Sequence, residues 1–415
     1  MSYMGPGLHY ALEQAFPGSQ VVRAYDINDT ANDVYEHNFG SRPCQTNIDS
    51  LTAAQLDKLG ANVWLLSPPC QPYTRRGLRR HSADDRAASF ISLLRHVRSM
   101  KAPPVALLLE NVVGFEASDT RAILLDTLRD LDFEVCEVIA CPSDLGVPYS
   151  RPRYFAAARR RGAGAGALAP PPQAPFRPVQ PDGSIADRPC APRAAEALAS
   201  FLVADPGAEL AGGVRAKLAN DIRFKQRGVT DAEGLGLDRQ SSLDADTPSP
   251  SSSAPLATAA SFQLGQELLL KNGWCLDIVT PASTRTCCFT KTYGQYIKGS
   301  GSVLAPAGRE EAVKQVMEAF PCLVPRRDAD AEAASQRLTP ASEDLAAALA
   351  PLGLRFFTPQ EIAALHGFPG TFAFPASVTL RQRYSLLGNS LHVHVVALLL
   401  EHLLTGVRLP GDGGA

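Results

Sequence analysis

Residues 61–77 read ANVWLLSPPCQPYTRRG, an apolar run that stops at a proline-stiffened loop carrying a single cysteine. Pro68, Pro69 and Pro72 fix φ and remove backbone donors, so the segment leaves the end of a strand as a loop of limited freedom. Cys70 is thereby presented by a loop and not held inside a regular element. A thiol becomes a nucleophile as thiolate, and Arg75, Arg76, Arg79 and Arg80 supply positive potential that favours ionisation and attracts phosphates. A structural cysteine beside a solvated basic face would have the same sequence. Spacing alone leaves both readings open.

Elements of alternating type surround this loop. Residues 8–16 have a helical pattern with Leu8, Ala11, Leu12 and Ala15 on one face, entered from the short glycine-containing stretch MSYMGPG. A glycine turn that opens a helix suits a phosphate or carboxylate. Residues 20–25 read as a strand ending at Asp26, where an acidic side chain either receives a ribose hydroxyl pair or serves as a turn or cap residue. Residues 30–38 and 88–100 are read as helices, and 105–109 as a near-continuous apolar strand ending in Glu110 and Asn111. Such runs are buried on both faces. The alternation implies an α/β fold with a parallel sheet, helices on both sides and a site at the strand C-terminal ends, where Asp26, Cys70 and Glu110 all fall.

The chain has 415 residues, formal net charge −2 and nine cysteines. That length allows two or three units, or one α/β domain with a large insertion. The charge excludes a globally basic nucleic-acid binder and directs attention to local patches at 75–81 and 151–161. No CxxC pair has metal-ligand spacing, and adjacent Cys287 and Cys288 are poorly placed to pair, which suggests a reduced protein of the cytoplasm or nucleus. No uninterrupted apolar run approaches the roughly 20 residues needed to cross a bilayer, so no membrane is expected.

Farther along, 120–131 reads as a helix and 134–139 as a strand. In 147–158, VPYSRPRYFAAA, Arg151 and Arg153 alternate on an extended segment and so point the same way. Residues 162–192 and 238–260 have the composition of flexible segments. Helical patterns are read at 193–203 and 261–272, and 287–304 is polar, basic and aromatic, as a substrate-contacting surface would be. Thr358-Pro359-Gln360-Glu361 has the form of a helix start, stopped by Gly367-Phe368-Pro369. Residues 385–404 read as a glycine turn followed by a buried helix.

Taken together, PPCQ, the triplet Glu110-Asn111-Val112, the Arg-x-Arg pair and the late Gly-Asn-Ser resemble the ordered motifs of cytosine carbon-5 methyltransferases. More narrowly, SPPCQPYTRRG, CFTKTYG at 288–294, FFTPQEIAALHGFP at 356–369 and RQRYSLLGNSLHVHVV at 381–396 resemble the tRNA-aspartate cytosine methyltransferases, also called type 2 DNA methyltransferase homologues. The CFT segment discriminates, since general DNA cytosine methyltransferases are not expected to carry it.

The resemblance implies a Rossmann-like α/β methyltransferase with a mixed, mostly parallel sheet and a smaller target-recognition region interrupted by disordered segments. The implied division is 1–160 as the catalytic domain binding S-adenosylmethionine, 161–354 as the target-recognition region, 355–408 as a return to the catalytic domain, and 409–415 as a flexible tail. The implied reaction is methylation of cytosine-38 in the anticodon loop of tRNA-Asp. Cytosine carbon 5 becomes nucleophilic once a thiolate adds to carbon 6, which is the role implied for Cys70. Glu110 would hold the ring nitrogen and the exocyclic amine, Arg153 the ring carbonyl and phosphate, and Arg151 the loop. Cys288 carries over as a second functional cysteine, with a packing cysteine as the alternative.

For the cofactor, the resemblance implies Gly5, Gly7, Asp26 for the ribose, Ile27 against adenine, Asn47 and Ile48 at the adenine edge, Pro68, and Asn389 and Ser390 beside the methionine end. Gln71, Arg75, Arg76, Phe289, Thr290, Lys291 and Tyr293 would contact tRNA. His392 and His394 are read as helix-packing residues that face apart, not as a metal pair. No metal is implied, and a monomer is expected. Two departures stand out. The family's apolar first strand and its aromatic-Ser-Gly-x-Gly-Gly turn are replaced by SYMGPG, so the strand is expected to be missing, with Met4 and Pro6 crowding the methionine moiety. Tyr149 stands where an amide residue precedes Arg-x-Arg and is expected to disturb that loop. A DNA cytosine methyltransferase and a catalytically impaired RNA-binding relative are the competing readings.

Overall fold

The computed structural model describes residues 5–69, 85–163, 167–171, 174–203, 262–323 and 342–407. Along the chain these form helices α1 (Pro6–Ala15), α2 (Asp29–Phe39) and α3 (Ala53–Leu59), strand β1 (Val63–Leu66), α4 (Asp85–Arg98), β2 (Ala106–Val112), α5 (Asp119–Asp130), β3 (Phe133–Ala140), β4 (Arg153–Arg160) and β5 (Arg177–Pro178). There follow α6 (Gln266–Asn272), β6 (Ile278–Val279), β7 (Val303–Leu304), α7 (Glu310–Ala319), α8 (Ser342–Leu349), α9 (Pro359–Leu365), α10 (Leu380–Asn389) and α11 (Val393–Leu404).

Five strands make one sheet in the order β1-β2-β4-β3-β5, and β6 pairs with β7 in a second. Side chains alternate across a strand, so the apolar runs feed two cores. Leu65, Ala106, Leu108, Phe155 and Ala157 face one, closed by Leu8 and Ala11 of α1 and by Val395, Val396 and Leu399 of α11. Trp64, Leu66, Leu107, Leu109, Tyr154 and Ala156 face the other, closed by Phe90, Leu93 and Leu94 of α4 and by Leu124 and Leu128 of α5. Helices therefore cover both faces, as the continuous apolar pattern requires.

The α/β class and the mixed sheet agree with the sequence reading, but the weight of pairing differs. Parallel pairing between named strands of the main sheet is confined to β1 with β2, while β4 runs antiparallel to β2 and β3, and β5 antiparallel to β3. The sequence of 147–158 names no partner for that segment. In the structure its later part is β4 and inserts between β2 and β3. Residues 20–25 form no strand and make one parallel bridge, Tyr25 to Cys44. Among the described residues nothing pairs with the other side of either Tyr25 or β1, so the ladder cannot extend.

Of the two stretches read as flexible, 238–260 lies outside the described residues. Within the other, β5 extends the sheet and Leu168 and Phe176 are buried. Arg121 holds the chain there, bonding Gln180 O at 2.9 Å and Pro181 O at 3.2 Å while paired bidentately with Glu137 at 2.7 and 2.8 Å. Composition hid this because the anchoring side chains belong to α5 and β3. The helix read at 193–203 is a single tight turn over Leu198–Phe201, and that at 261–272 shortens to α6.

The C-terminal segment returns to the sheet. Thr358 caps α9, with its side chain on Glu361 N and the Glu361 carboxylate back on Thr358 N, as its sequence announced. Gly388 lies inside α10 and not in a turn; the break falls at Ser390, just before the N-cap His392 of α11. By length and composition Leu380–Leu404 could cross a membrane, yet it is these two helices, more than half buried.

Candidate active site

Glu110 lies near the C-terminal end of β2, in its buried part, and its carboxylate is held from two sides. Ser67, the residue after β1, donates to Oε2 at 2.8 Å, and Arg153 Nε lies 3.3 Å from Oε1. Parallel pairing of Leu66 with Leu109 brings the two strand ends level, and antiparallel pairing of Val112 with Arg153 sets the arginine opposite. Asn111, buried beside Glu110, reaches toward Pro68 O and bonds Val112 N at 2.9 Å. Sheet register thus gathers Ser67, Pro68, Glu110 and Arg153 at one strand end. Cys70, Gln71, Arg75 and Arg76 lie outside the described residues, one to seven positions beyond Pro69.

Arg151 is buried, and both terminal nitrogens of its guanidinium are engaged by structure, while Nε has no hydrogen-bond partner. It donates to Phe289 O at 3.3 Å, Gly388 O at 3.0 Å and Ser390 O, with Tyr149 Oη and Cys288 Sγ each at 3.4 Å. It ties the Arg-x-Arg segment to the CFT segment and to the end of α10. Tyr149 does not disturb this loop. Its ring is fully buried against Phe289 and His366. His366 Nδ1 lies 2.8 Å from Ile362 O, which requires Nδ1–H; Nε2 is then the acceptor of the Tyr149 hydroxyl at 3.2 Å. Burial and the nearby Arg151 charge hold His366 well below its ordinary value and so neutral.

Burial would raise the Cys288 thiol, but the Arg151 and Arg153 charges and the bond from Arg151 outweigh it, leaving the thiol below its ordinary value. Cys287, beside it, is pushed the other way, up to about 11, by burial and Asp277.

Two expected tRNA contacts need correction. Phe289 and Tyr293 are each 1 % exposed and form an aromatic cluster with Phe356, Phe357 and Tyr384. The Tyr293 hydroxyl donates to Ser302 O at 2.7 Å and accepts from Phe357 N at 2.9 Å, bonds that hold it inside the protein. A polar, aromatic sequence concealed a hydrophobic core. Thr290 is half-buried and Lys291 is exposed; Tyr296, 66 % exposed, and Lys298 complete the accessible side of the segment. Tyr296 had not been singled out.

The residues expected to hold a cofactor divide. Asp26 is buried; Oδ1 accepts Asn28 N–H at 2.8 Å, while Oδ2 has no hydrogen-bond partner. Burial pushes its carboxyl up to about 6 against the pull of the Asn28 bond. A buried orphan acceptor at this place suits a hydroxyl, and Ile27, 53 % exposed, stands next to it. Gly5 caps α1, and Pro6 occupies its first helical position, where a missing N–H is tolerated; Met4 lies outside the described residues. A Cβ on Gly7 would stand 3.1 Å from Leu391 Cδ1 and 3.3 Å from Ser390 Oγ, so the start of α1 abuts the turn after α10. Gly5, Gly7, Ser67, Asn389 and Ser390 line one small cavity of ≈ 40 Å³. Pro6 also lines it, while the Met4 part of the expected crowding lies outside the described residues. Asn47 is exposed, whereas the Ile48 side chain is buried in the second core. The residues present fit an adenosyl group at its ribose.

His392 Nδ1 caps Val395 N at 3.3 Å, and its ring lies 5.6 Å from that of His394, so the two do not face apart; His392 precedes the helix. Among the described residues no group of three or more His, Cys, Asp or Glu could hold a metal ion.

Gly388 is a residue whose importance the sequence showed only through its motif. A Cβ there would overlap Lys291 N and Thr290 C and stand 2.6 Å from Lys291 Cα, so α10 touches the CFT backbone directly. Ser67 escaped notice because nothing in the sequence marks a serine as a carboxylate partner.

Known proteins carry related sequences. The model for C-5 cytosine-specific DNA methylase matches residues 1–187 and 278–405. The mouse protein named tRNA (cytosine(38)-C(5))-methyltransferase is 36 % identical over 96 % of this chain and 91 % of its own length. A Dictyostelium discoideum protein named DNA (cytosine-5)-methyltransferase is 30 % identical over 96 % of this chain and 92 % of its own. A crystal structure of a mutant DNMT2 from Spodoptera frugiperda superposes with TM-score 0.66 at 28 % identity, covering 96 % of each chain.

Proposed function

The chain belongs to the C-5 cytosine-specific methylase family and is a cytosine carbon-5 methyltransferase, and from that premise we propose that it methylates cytosine-38 of tRNA-Asp through a covalent Cys70 adduct. The observation that supports the tRNA substrate is near-full-length similarity to relatives that include the mouse tRNA methyltransferase, with the CFT segment locked into the site through Arg151 and Gly388. When bound, S-adenosylmethionine supplies an electrophilic methyl group. Asp26 Oδ2 would accept a ribose hydroxyl, with Ile27 against the base.

The Cys70 thiolate adds to carbon 6 of cytosine, and Glu110 delivers a proton to the ring nitrogen that gathers charge. Ser67 and Arg153 fix the carboxyl so that no reorganisation is needed at that moment. Carbon 5 then takes the methyl group. Loss of the carbon-5 proton to water expels the Cys70 thiolate, and the ring nitrogen returns its proton to Glu110. A single-stranded anticodon loop offers the base at lower unstacking cost than a duplex.

The test is transfer of labelled methyl to tRNA-Asp, to the same tRNA with uridine at position 38, and to duplex DNA. We expect transfer to the first alone, none by Cys70→Ala, and a stable protein–RNA adduct on 5-fluorocytosine-substituted tRNA with the unaltered chain only. Transfer to DNA in preference to tRNA would move the assignment to a DNA methyltransferase, and transfer by Cys70→Ala would sink the covalent mechanism.

A further inference from the structure

Among the described residues Tyr296 is the most exposed large hydrophobic side chain, at 66 %. Single exposed apolar residues are common and need no function, so its setting has to decide. Tyr296 belongs to the CFT segment, whose backbone is pinned from within. Tyr293 N–H bonds Thr290 O at 3.0 Å, Gln295 N–H and Tyr296 N–H share Thr292 O at 2.9 and 3.0 Å, and the Ser300 hydroxyl donates to Tyr296 O. Buried Tyr293 and Ile297 root the segment on either side of it. Among the described residues the Tyr296 ring stacks on nothing and its hydroxyl bonds nothing. A ring so placed loses little entropy on making a contact, since only two torsions orient it.

Charge narrows the partner. Residues 287–304 include Lys291 and Lys298 and no acidic residue. Lys298 Nζ lies 5.0 Å from the centroid of the exposed Trp274 ring, and the Trp274 indole N–H bonds Lys271 O at 3.2 Å, so the ring that orients the ammonium is itself fixed. Carboxylates on the neighbouring elements are already paired, Glu267 with Lys271 at 2.7 Å and Asp277 with Arg285 at 3.0 Å. An aromatic face flanked by cations suits an unpaired nucleotide, whose base offers a π-face and whose phosphate offers a charge. A protein partner calls for an apolar surround, whereas Lys291, Thr292, Gln295 and Lys298 are polar. The segment also shares the framework of the site: its Thr290–Lys291 backbone rests on Gly388, and Phe289 O accepts from Arg151, two residues before Arg153.

We propose that Tyr296 stacks on one unpaired base of the RNA loop near the target cytosine, while Lys298, held over Trp274, meets the loop's phosphate backbone. The inference rests on the RNA substrate proposed above and adds to it a residue that recognises an unpaired neighbour. A paired base inside a helix has both faces covered by the stack, so Tyr296 favours a loop over a duplex.

The experiment measures anisotropy of a labelled anticodon stem-loop of tRNA-Asp bound by the full chain, without S-adenosylmethionine so that nothing turns over. A set of stem-loops each lacks one loop base other than cytosine-38 and keeps the sugar and phosphate. Tyr296→Ala is expected to weaken binding of the intact loop about tenfold and Tyr296→Phe by less than about twofold, with the melting temperature and the salt slope of log Kd unchanged. One abasic loop is expected to bind the unaltered chain about tenfold more weakly and to be indifferent to Tyr296→Ala. Lys298→Ala should lower the salt slope by about one phosphate contact. Equal binding by Tyr296→Ala, a loss in Tyr296→Phe as large as in Tyr296→Ala, no abasic loop indifferent to the substitution, a lowered melting temperature, or self-association that Tyr296→Ala abolishes would each overturn the stacking role. Tight binding of the stem-loop with Tyr296→Ala unaffected removes this inference and leaves the substrate standing, whereas binding of duplex DNA with none of the stem-loop removes the substrate itself.

Discussion

Replacing Asp26 with asparagine is expected to make the protein increasingly more stable than wild type as the pH rises. The wild-type carboxyl is buried with one oxygen unpartnered, and burial lifts it from 3.8 to about 6. A folded value above the unfolded one means that the folded state holds the extra proton between the two. The associated stability is complete below the unfolded value and is lost as pH rises through about 6. The span of roughly two pKa units corresponds to ~3 kcal/mol in all, of which ~1.4 kcal/mol falls between pH 5 and pH 8. Asp26→Asn keeps the acceptor for Asn28 N–H but has no charge to bury. Urea denaturation of both proteins at pH 5 and pH 8 should therefore show the variant gaining ~1.4 kcal/mol on wild type across that interval. Cofactor affinity should move the other way, since the ionised carboxylate is the hydroxyl acceptor: about tenfold weaker at pH 5 than at pH 7 in wild type, and weak and flat in the variant. A stability difference that stays constant or shrinks between pH 5 and pH 8 would refute the assignment of a costly buried charge to Asp26.

Gly388→Ala drives a methyl into the Thr290–Lys291 backbone, so the segments must part by roughly 1 Å; we expect a loss of ~1–3 kcal/mol in denaturation and reduced tRNA methylation. Glu361→Ala leaves the guanidinium of Arg355, bonded at 2.7 and 2.8 Å, without its counter-charge, and should cost ~3–5 kcal/mol by the same assay. Glu110→Gln should lower single-turnover methyl transfer by about 10²–10⁴ while calorimetry shows cofactor affinity unchanged. Replacing exposed Lys291 and Lys298 together by alanine should weaken tRNA binding and reduce the salt dependence of log Kd by ~2 phosphate contacts, with thermal stability unaltered.

Local chemistry wrote much of this protein directly into its sequence. The apolar runs ending at Leu66 and Leu109 specify strands buried on both faces, because no polar side chain offers either face to water. Thr358-Pro359-Gln360-Glu361 specifies a capped helix start through bonds within four residues. Glu110 could be placed near a strand end by the same logic, whereas the strand expected before Asp26 is only a single bridge at Tyr25. The tertiary structure decided whatever depends on partners remote in the chain. Antiparallel insertion of β4 between β2 and β3 sets Arg153 opposite Val112 and so diagonally within reach of Glu110, and no pattern within 147–158 names that neighbour. Phe289 and Tyr293 lie in a segment that looks like surface, yet Phe356, Phe357 and Tyr384, tens of residues away, bury them. Arg151 resembled a site residue until the carbonyls of Phe289, Gly388 and Ser390 enclosed it. Periodicity and capping act over one or two turns and are legible in order, whereas the assignment of an arginine to substrate or scaffold is settled by which distant carbonyls fold onto it.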